Sequence, residues 1–207
     1  PPFKTLSYQE AMETYCSVRP DLRYGLKCYT INELAAKSDF GVFKDAELVK
    51  VMLVEGGTTL SRKDIDGLTE FVSKFGLKGL AWMKMTEEGL SSNIVKFFNE
   101  SLQKELIEKT GAQKGDLLLF AASDKRTVVQ SFDHLRQEIA EKLHLTKNDE
   151  WAFVWINNFP LFERDKETGH PTSVHHPFTS PVLEDIPLLK EDPLKVRSNA
   201  YDLVLNG

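Results

Sequence analysis

The sequence predicts an α+β protein in which one α+β domain, residues 39–147, is inserted between two pieces of a host domain, residues 1–38 and 148–207. The pattern of apolar and polar residues changes twice along the chain, near Asp39 and near Asn148, and these changes lead to the prediction. Between them, apolar strands alternate with amphipathic helices, which is the pattern of a domain that can build its own core. The two ends hold a helix and a few strands without visible sheet partners, so we expect neither end to form a complete domain by itself.

The composition is that of a folded protein. With 207 residues, of which 41% are hydrophobic and 28% charged, the chain suits one large domain or two small ones and is too apolar for a disordered protein. No apolar run reaches the length of a membrane span, and no signal peptide is recognisable. The formal net charge of −5 gives no support for autonomous nucleic-acid binding. Cys16 and Cys28 are too few for a disulfide framework, which favours a reducing, cytoplasmic location.

The first piece predicts two helices. "SYQEAMETYC" places its apolar residues at helical spacing, and Pro20 disfavours helix beyond it. "TINELAAK" predicts a short helix, with Thr30 as the N-cap and Glu33 as its capping-box partner.

The middle segment predicts strands and helices in alternation. "ELVKVMLVEGG" is a strand that ends in a turn at Gly56 and Gly57. The next helix, "LSRKDIDGLTEFVSKFG", has Ser61 as its N-cap, Asp64 in its first turn and Gly76 as its stop. Strands are predicted in "LKGLAWMKM" and "GDLLLFAAS", with short helices in "NIVKFFNESLQKELIEKTG" between them. A long amphipathic helix closes the segment, with an apolar stripe of Val128, Phe132, Leu135, Ile139 and Leu143.

The last piece is rich in strands again. "WAFVWINNFPLFE" predicts an apolar strand that Pro160 ends or places at a sheet edge. A polar loop, "RDKETGH", is followed by the adjacent residues His175 and His176 and by a proline-punctuated connection. The alternating segment "NAYDLVLNG" predicts a final strand.

Histidines of the last piece are candidates for a chemical site. His170, His175 and His176 are near Glu163 and Asp165 in the sequence, which could supply zinc ligands. Adjacent side chains on a strand point to opposite faces, so His175 and His176 could not both bind one ion without distortion. Spacing alone leaves a functional pair open but favours a strand edge with one packed and one solvated histidine. Neither a phosphate-binding glycine motif nor a nucleophile elbow accompanies them.

Asp202 is a further candidate because it stands in an apolar strand. An alternating strand often turns its polar side chains to solvent, which is the default interpretation. If Asp202 faces inward, it needs a cation or hydrogen-bond donors, and a magnesium ion held by phosphates would supply the charge. Spacing does not choose between the two.

The composite pattern of these segments resembles one enzyme family. "WINNFPLFERDKETGHPTSVHHPFTSP", followed by "NAYDLVLNG", resembles the catalytic domain of bacterial-type aspartyl-tRNA synthetases just before their third signature motif. "SYQEAMETYCSVRPDLRYGL" resembles the segment after their second motif, and residues 39–147 resemble the GAD domain inserted between those motifs. The resemblance covers essentially the whole chain, in the right order. It implies a GAD-type α+β domain flanked by pieces of a class II antiparallel-sheet catalytic domain.

The resemblance also implies a function and site residues. Such enzymes are homodimers that activate L-aspartate with ATP and Mg²⁺ to aspartyl-adenylate and transfer it to tRNA(Asp); charging of tRNA(Asn) as well stays open. His175 matches a histidine of the aspartate pocket, and His176, its neighbour, is the second candidate. Asp202 matches a carboxylate that helps to hold magnesium between the phosphates. No residue of the chain is assigned a catalytic role.

The resemblance places other parts of the enzyme outside this segment. The second motif, with its ATP-binding arginine, would precede the segment and the third motif would follow it, so we expect the segment alone to be inactive. One departure is local, because the family usually has Gly-Ser-Asp-Lys-Pro-Asp at residues 16–21. Val18 removes an acidic group from that turn, whereas Arg19 keeps the cation.

Two other hypotheses compete with this one. A non-catalytic GAD-type module of an amidotransferase-like assembly would bind tRNA or a partner protein, but it has no reason to carry "HHPFTSP" and "AYDLVLNG". A metal-dependent hydrolase would use His170, His175 and His176 and would retain zinc tightly.

Overall fold

The computed structural model describes residues 3–146, 149–165 and 167–207. Its strands are β1 (Lys4–Ser7), β2 (Cys28–Thr30), β3 (Leu48–Val54), β4 (Ala81–Thr86), β5 (Gly89–Ser91), β6 (Leu117–Ser123), β7 (Phe153–Asn157), β8 (Phe162–Arg164), β9 (Pro171–Ser173) and β10 (Asp202–Leu205). Its α-helices are α1 (Tyr8–Tyr15), α2 (Asn32–Lys37), α3 (Gly41–Lys44), α4 (Arg62–Ser73), α5 (Glu100–Thr110), α6 (Lys125–Lys142) and α7 (Leu188–Glu191). Short 3₁₀-helices lie at Gly57–Thr59, Val95–Phe97, Leu183–Asp185 and Pro193–Lys195.

The chain divides into two compact units. The larger unit holds Glu13–Ser17 and Arg23–Glu150, and the smaller unit holds Pro1–Met12, Val18–Leu22 and Trp151–Gly207. The larger unit thus includes β2 and α2, which the sequence assigned to the host domain, because β2 pairs with β3 and α2 packs beside the same sheet. The predicted boundary between residues 147 and 148 lies outside the described residues. The predicted limits of the inserted domain stay predictions.

The larger unit is organised around the pairing of β3 with β6. These two strands form the middle of a five-stranded antiparallel sheet with the order β2-β3-β6-β4-β5. Their register runs from Leu48 opposite Ser123 to Val54 opposite Leu117. Both predicted strands are confirmed, and so is the turn after β3, where Gly56 adopts a φ of 65° that suits glycine.

Helices cover both faces of this sheet. α4 and α6 pack on one face, and α2, α3 and α5 pack on the other. Alternate residues of the two central strands therefore enter different core clusters: Met52, Val54, Leu117, Leu119 and Ala121 in the first, and Val49, Val51, Leu53, Leu118 and Phe120 in the second. Since neither face meets water, these strands are continuous apolar runs in the sequence.

The predicted helix starts are right at α4 and wrong at α2. At α4, the Ser61 side chain accepts a hydrogen bond from the Asp64 N–H, and the Asp64 carboxylate accepts one from the Ser61 N–H. At α2, the N-cap is Ile31, and no side chain caps the helix. Thr30 cannot act as the N-cap because its backbone belongs to β2, where it pairs with Lys50. The predicted capping box of Thr30 with Glu33 is therefore wrong.

The smaller unit contains a three-stranded sheet with the order β1-β7-β10. β10 runs antiparallel to β7, but β1 runs parallel to it, so the sheet is mixed and not purely antiparallel as the family resemblance implied. A parallel pair needs a long connection, and more than a hundred residues separate β1 from β7. The predicted strand in "WAFVWINNFPLFE" ends at Asn157, because Asn158 adopts a φ of 55° before Pro160. β8 and β9 form a separate short hairpin.

The predicted α+β class is confirmed. Strands and helices alternate irregularly along the chain, and most strand pairs are antiparallel. Among the described residues, no helix has both the length and the apolar character that crossing a bilayer requires.

Candidate functional site

The adjacent histidines lie in a loop and not on a strand. β9 ends at Ser173, and His175 and His176 belong to the segment of residues 174–182, here called the histidine loop. The N–H of Thr179 donates to the carbonyl of His176 (2.9 Å), which closes a turn around Pro177. The expectation that the two side chains point to opposite faces of a strand is therefore wrong, because pairing with β8 extends only from Pro171 to Ser173.

Both histidines are exposed, but their contacts differ. The ring of His175 stands edge-to-face on the ring of Phe159, with the centroids 5.2 Å apart. Among the described residues, the ring of His176 makes such a contact with Phe178 alone, and Phe178 is itself 90% exposed. The backbone N–H of Phe178 also donates to Nδ1 of His176 (3.2 Å), so a neutral His176 carries its proton on Nε2.

Phe159 is the buried support of His175. It is 3% exposed, and its other ring neighbour is Tyr8 at a centroid distance of 5.5 Å. Burial raises the pKa of the Tyr8 hydroxyl, and the charge of Glu163 raises it further. His175 thus packs edge-to-face on a buried ring while the residue as a whole stays exposed.

The backbone around Phe159 is held by hydrogen bonds to residues 196–198. The N–H of Ser198 donates to the carbonyl of Phe159 (2.8 Å), and the N–H of Leu161 donates to the carbonyl of Val196 (2.8 Å). The histidine loop joins the same network at both ends, because the N–H of Val174 donates to Leu161 (3.1 Å) and that of Val182 donates to Arg197 (2.9 Å). The loop is thus anchored at its start and at its end.

Asp185 and Arg197 complete this anchoring. The guanidinium of Arg197 donates from Nε to Oδ2 of Asp185 (2.7 Å) and from Nη2 to Oδ1 (2.8 Å), and the backbone N–H of Arg197 also donates to Oδ2 (2.9 Å). Asp185 is buried at 6% exposure. The side-chain and backbone hydrogen bonds from Arg197 lower the pKa of Asp185 to about 2.

Asp202 is exposed on the side of the sheet that carries the buried residues. As the first residue of β10, it lies opposite Ile156 of β7, and Val204 lies opposite Val154. Ile156, Val154 and Val204 are buried, whereas Asp202 at the strand end is exposed. The carboxylate therefore belongs to the inward face and still meets water, a combination that neither interpretation of the sequence included.

The described residues do not support the zinc interpretation. The described part of the chain holds no group of three or more histidine, cysteine, aspartate or glutamate side chains that could bind a metal ion together. Asp165, the acidic neighbour expected to contribute, instead accepts hydrogen bonds from the N–H groups of Glu167 (3.0 Å) and Thr168 (2.7 Å) within its own turn. These bonds, with that of the Thr168 hydroxyl, lower the pKa of Asp165.

Phe159, Asp185 and Arg197 were missed by the sequence analysis. Phe159 lies inside an apolar run, and nothing in that run distinguishes it from its neighbours. The chain has many acidic and basic residues, and nothing singles out Asp185 and Arg197 as partners. The proline-rich connection between them has no periodicity that would predict their contact.

The Asp185–Arg197 contact predicts a defined pH dependence of stability. A carboxyl whose folded pKa is lowered contributes stability above its ordinary pKa of 3.8 and loses that contribution as the pH falls through about 2. We expect Asp185→Asn to lower the melting temperature at about pH 5, and we expect this difference from the wild type to shrink progressively as the pH falls towards about 2. Thermal unfolding monitored by circular dichroism over this range measures it.

Asp192→Asn is the matched control, because Asp192 pairs with Lys195 on the exposed surface (2.9 Å). Exposed pairs contribute little to stability, so this variant should follow the wild-type profile. A constant difference between Asp185→Asn and the wild type at every pH would contradict the assignment.

Comparison with known proteins finds two kinds of similarity. Residues 41–132 match the model of the GAD domain. The whole chain is 48% identical to an aspartate–tRNA(Asp/Asn) ligase of Brachyspira hyodysenteriae, 47% identical to one of Protochlamydia amoebophila, and 46% identical to an aspartate–tRNA ligase of Lysinibacillus sphaericus. Each match covers 100% of this chain but only 36%, 35% and 36% of the relative, respectively. The chain therefore carries a GAD domain within a sequence that is homologous, along its whole length, to about a third of these aspartate–tRNA ligases.

Proposed function

We propose that the protein to which this chain belongs is an aspartate–tRNA ligase that acts in protein biosynthesis. The observation that carries the proposal is the 48% identity that extends over the whole chain and not only over the GAD domain. Residues outside 41–132 include the histidine loop and β10, which hold all the proposed site residues. The relatives are named for ligation of aspartate to tRNA, and we extend that activity to this protein.

The proposed reaction has two steps. An α-carboxylate oxygen of L-aspartate attacks the α-phosphorus of ATP, and pyrophosphate leaves. A ribose hydroxyl of the terminal adenosine of tRNA then attacks the activated carbonyl, and AMP leaves. Both steps move charge between phosphates and carboxylates, so binding and neutralisation of charge account for the catalysis better than a protein nucleophile.

His175 is the residue that we propose for binding aspartate. Its imidazole is exposed and packs on the ring of Phe159, so a ring N–H can donate to a carboxylate of the substrate. His176 is the second candidate, because it is exposed and a neutral ring presents an Nε2 donor. Neither residue needs to exchange a proton with the substrate.

Asp202 is the residue that we propose for magnesium. Magnesium in phosphate-binding sites usually binds one or two protein carboxylates together with phosphate oxygens and water. A single exposed carboxylate such as that of Asp202 fits this donor set, although the described residues offer no cluster of three ligands. When bound, the ion would neutralise charge on the phosphates of ATP.

We propose tRNA(Asp) as the nucleic-acid partner and the cytoplasm as the location. Two of the three relatives cited are named for both tRNA(Asp) and tRNA(Asn), which supports tRNA(Asn) as an additional substrate. A homodimer remains our expectation for the complete protein. The GAD match alone would also suit a non-catalytic module that binds tRNA or protein, and the activity test separates that alternative.

Aspartate-dependent exchange between pyrophosphate and ATP tests the proposed function. We expect the complete protein to catalyse this exchange with aspartate and not with asparagine or glutamate. Exchange needs no tRNA in the assay if activation precedes transfer. A folded complete protein that shows no exchange, and none when tRNA is added, would contradict the proposal and favour the binding module.

The variant His175→Ala tests the aspartate site. We expect the KM for aspartate to rise about tenfold or more, because a hydrogen bond to a charged group contributes about 1.5–3 kcal/mol. The KM for ATP should stay near the wild-type value. His170→Ala is the matched control, since His170 is another exposed histidine, immediately before β9, and has no role in this proposal. Unchanged KM and kcat for aspartate in His175→Ala would refute the assignment.

The variant Asp202→Ala tests the magnesium site. We expect half-maximal exchange to require several times more magnesium, because one charged ligand of the ion is lost. Asp66→Ala removes an exposed acid of α4 and should leave the magnesium requirement unchanged. The assignment fails if both variants show the wild-type magnesium dependence.

A further inference from the structure

The exposed ring of His175 packs against the buried ring of Phe159 in the smaller unit. The two ring planes stand at 83° to each other, with the centroids 5.2 Å apart. No hydrogen bond joins either ring nitrogen of His175 to another described residue. Because edge-to-face packing of rings is directional, the contact with Phe159 is the specific interaction that selects an orientation for the His175 ring.

Phe159 is itself held in place on several sides. Its side chain is 3% exposed, and its backbone carbonyl accepts hydrogen bonds from both the N–H (2.8 Å) and the hydroxyl (3.1 Å) of Ser198. The ring of Tyr8, the first residue of α1, lies against the ring of Phe159 with the centroids 5.5 Å apart. A buried ring that is packed between neighbours has little freedom to move, so Phe159 can act as a rigid support.

His176 lacks such a support. Its Nδ1 accepts a hydrogen bond from the N–H of Phe178 (3.2 Å), so one of its ring nitrogens is already used within the histidine loop. The ring that it packs on belongs to Phe178, which is 90% exposed. Of the two adjacent histidines, His175 is therefore the one that packs on a buried ring and keeps both ring nitrogens free of hydrogen bonds to the described residues.

This support affects the binding of any ligand that accepts a hydrogen bond from His175. A side chain that must be fixed on binding loses conformational entropy, and a side chain that already has its orientation loses less. Hydrogen bonds to a carboxylate also weaken steeply when the donor points in the wrong direction. Removing the ring of Phe159 should therefore weaken binding at His175, although no group that contacts the ligand has been removed.

We propose that Phe159 is a positioning residue for aspartate, which acts through the ring of His175. The inference rests on the proposed function, in which His175 donates to a carboxylate of the substrate. Since Phe159 is buried, its effect reaches the substrate through the exposed ring that packs on it. The inference adds to the aspartate site a residue of the core that the substrate does not contact.

The variant Phe159→Leu tests this role in the complete protein, because leucine keeps an apolar side chain and removes the ring. We expect the KM for aspartate in pyrophosphate exchange to rise about threefold to tenfold, the factor that an edge-to-face ring contact can provide. The KM for ATP should stay near the wild-type value. Phe153→Leu is the matched control, since it removes a ring of the same unit that stacks on Phe3 (4.6 Å) and should leave both KM values unchanged.

The same substitution in a His175→Ala background separates positioning from a general loss of packing. Without the ring of His175 there is nothing for Phe159 to position, so the double variant should have the same KM for aspartate as His175→Ala alone. An equal rise in this KM in both backgrounds would overturn the proposal. A wild-type KM for aspartate in Phe159→Leu would also overturn it, while leaving the proposed ligase function intact.

A binding measurement that needs no catalysis distinguishes this proposal from the proposed function. Nuclear magnetic resonance of the histidine-labelled complete protein reports on the ring of His175, whose signals are assigned with His175→Ala. We expect aspartate to shift these signals in a saturable way and to require about threefold to tenfold higher concentrations in Phe159→Leu. If this holds in a protein without exchange activity, the positioning role stands and the ligase function fails. If aspartate leaves the wild-type signals of His175 unchanged, the positioning role fails.

Discussion

The backbone groups of β3 and β6 lie between two layers of helices, where an unpaired N–H or C=O would be costly. Each strand must therefore pair along both edges, and the five-stranded order β2-β3-β6-β4-β5 satisfies this requirement. β2 covers the outer edge of β3, and β4 covers that of β6. The need to pair these buried strands is what draws residues 28–30 into the sheet and makes the larger unit extend beyond the matched GAD domain.

Cations within the larger unit are stabilised by backbone carbonyls. Lys50 donates to Glu13, Lys84 donates to Leu60 (2.7 Å) and Arg136 donates to Leu26. The guanidinium of Arg136 also lies over the rings of Tyr15 and Tyr24, at 4.8 and 5.0 Å from their centroids. Lys84 and Arg136 thus fix irregular segments, whereas Lys50 bonds to the C-terminal half of α1. Segment 23–27, which leads into β2, is positioned in this way by Arg136.

In the smaller unit, strands and helices contribute less to holding the histidine loop, and side-chain hydrogen bonds contribute more. The histidine loop has no regular helix or strand of its own, yet its start bonds to Leu161 and its end bonds to Arg197. The residues on either side of Arg197 bond in turn to Leu161 and Phe159. The buried Asp185 holds Arg197 through three hydrogen bonds, and the backbone of Arg197 in turn bonds to the loop. Such a loop holds His175 against Phe159 while leaving the residue exposed.

The sequence by itself determined the elements whose signal is local. Apolar runs located β3 and β6, helical periodicity located α6 with Val128 and Phe132 on its buried side, and the Ser61–Asp64 pair located the start of α4. Tertiary structure alone decided that Thr30 ends a strand, that His175 and His176 lie in a loop, and that Asp202 is on the inward face but exposed. These outcomes depend on pairing partners far away in the sequence, and periodicity within a short window carries no information about them.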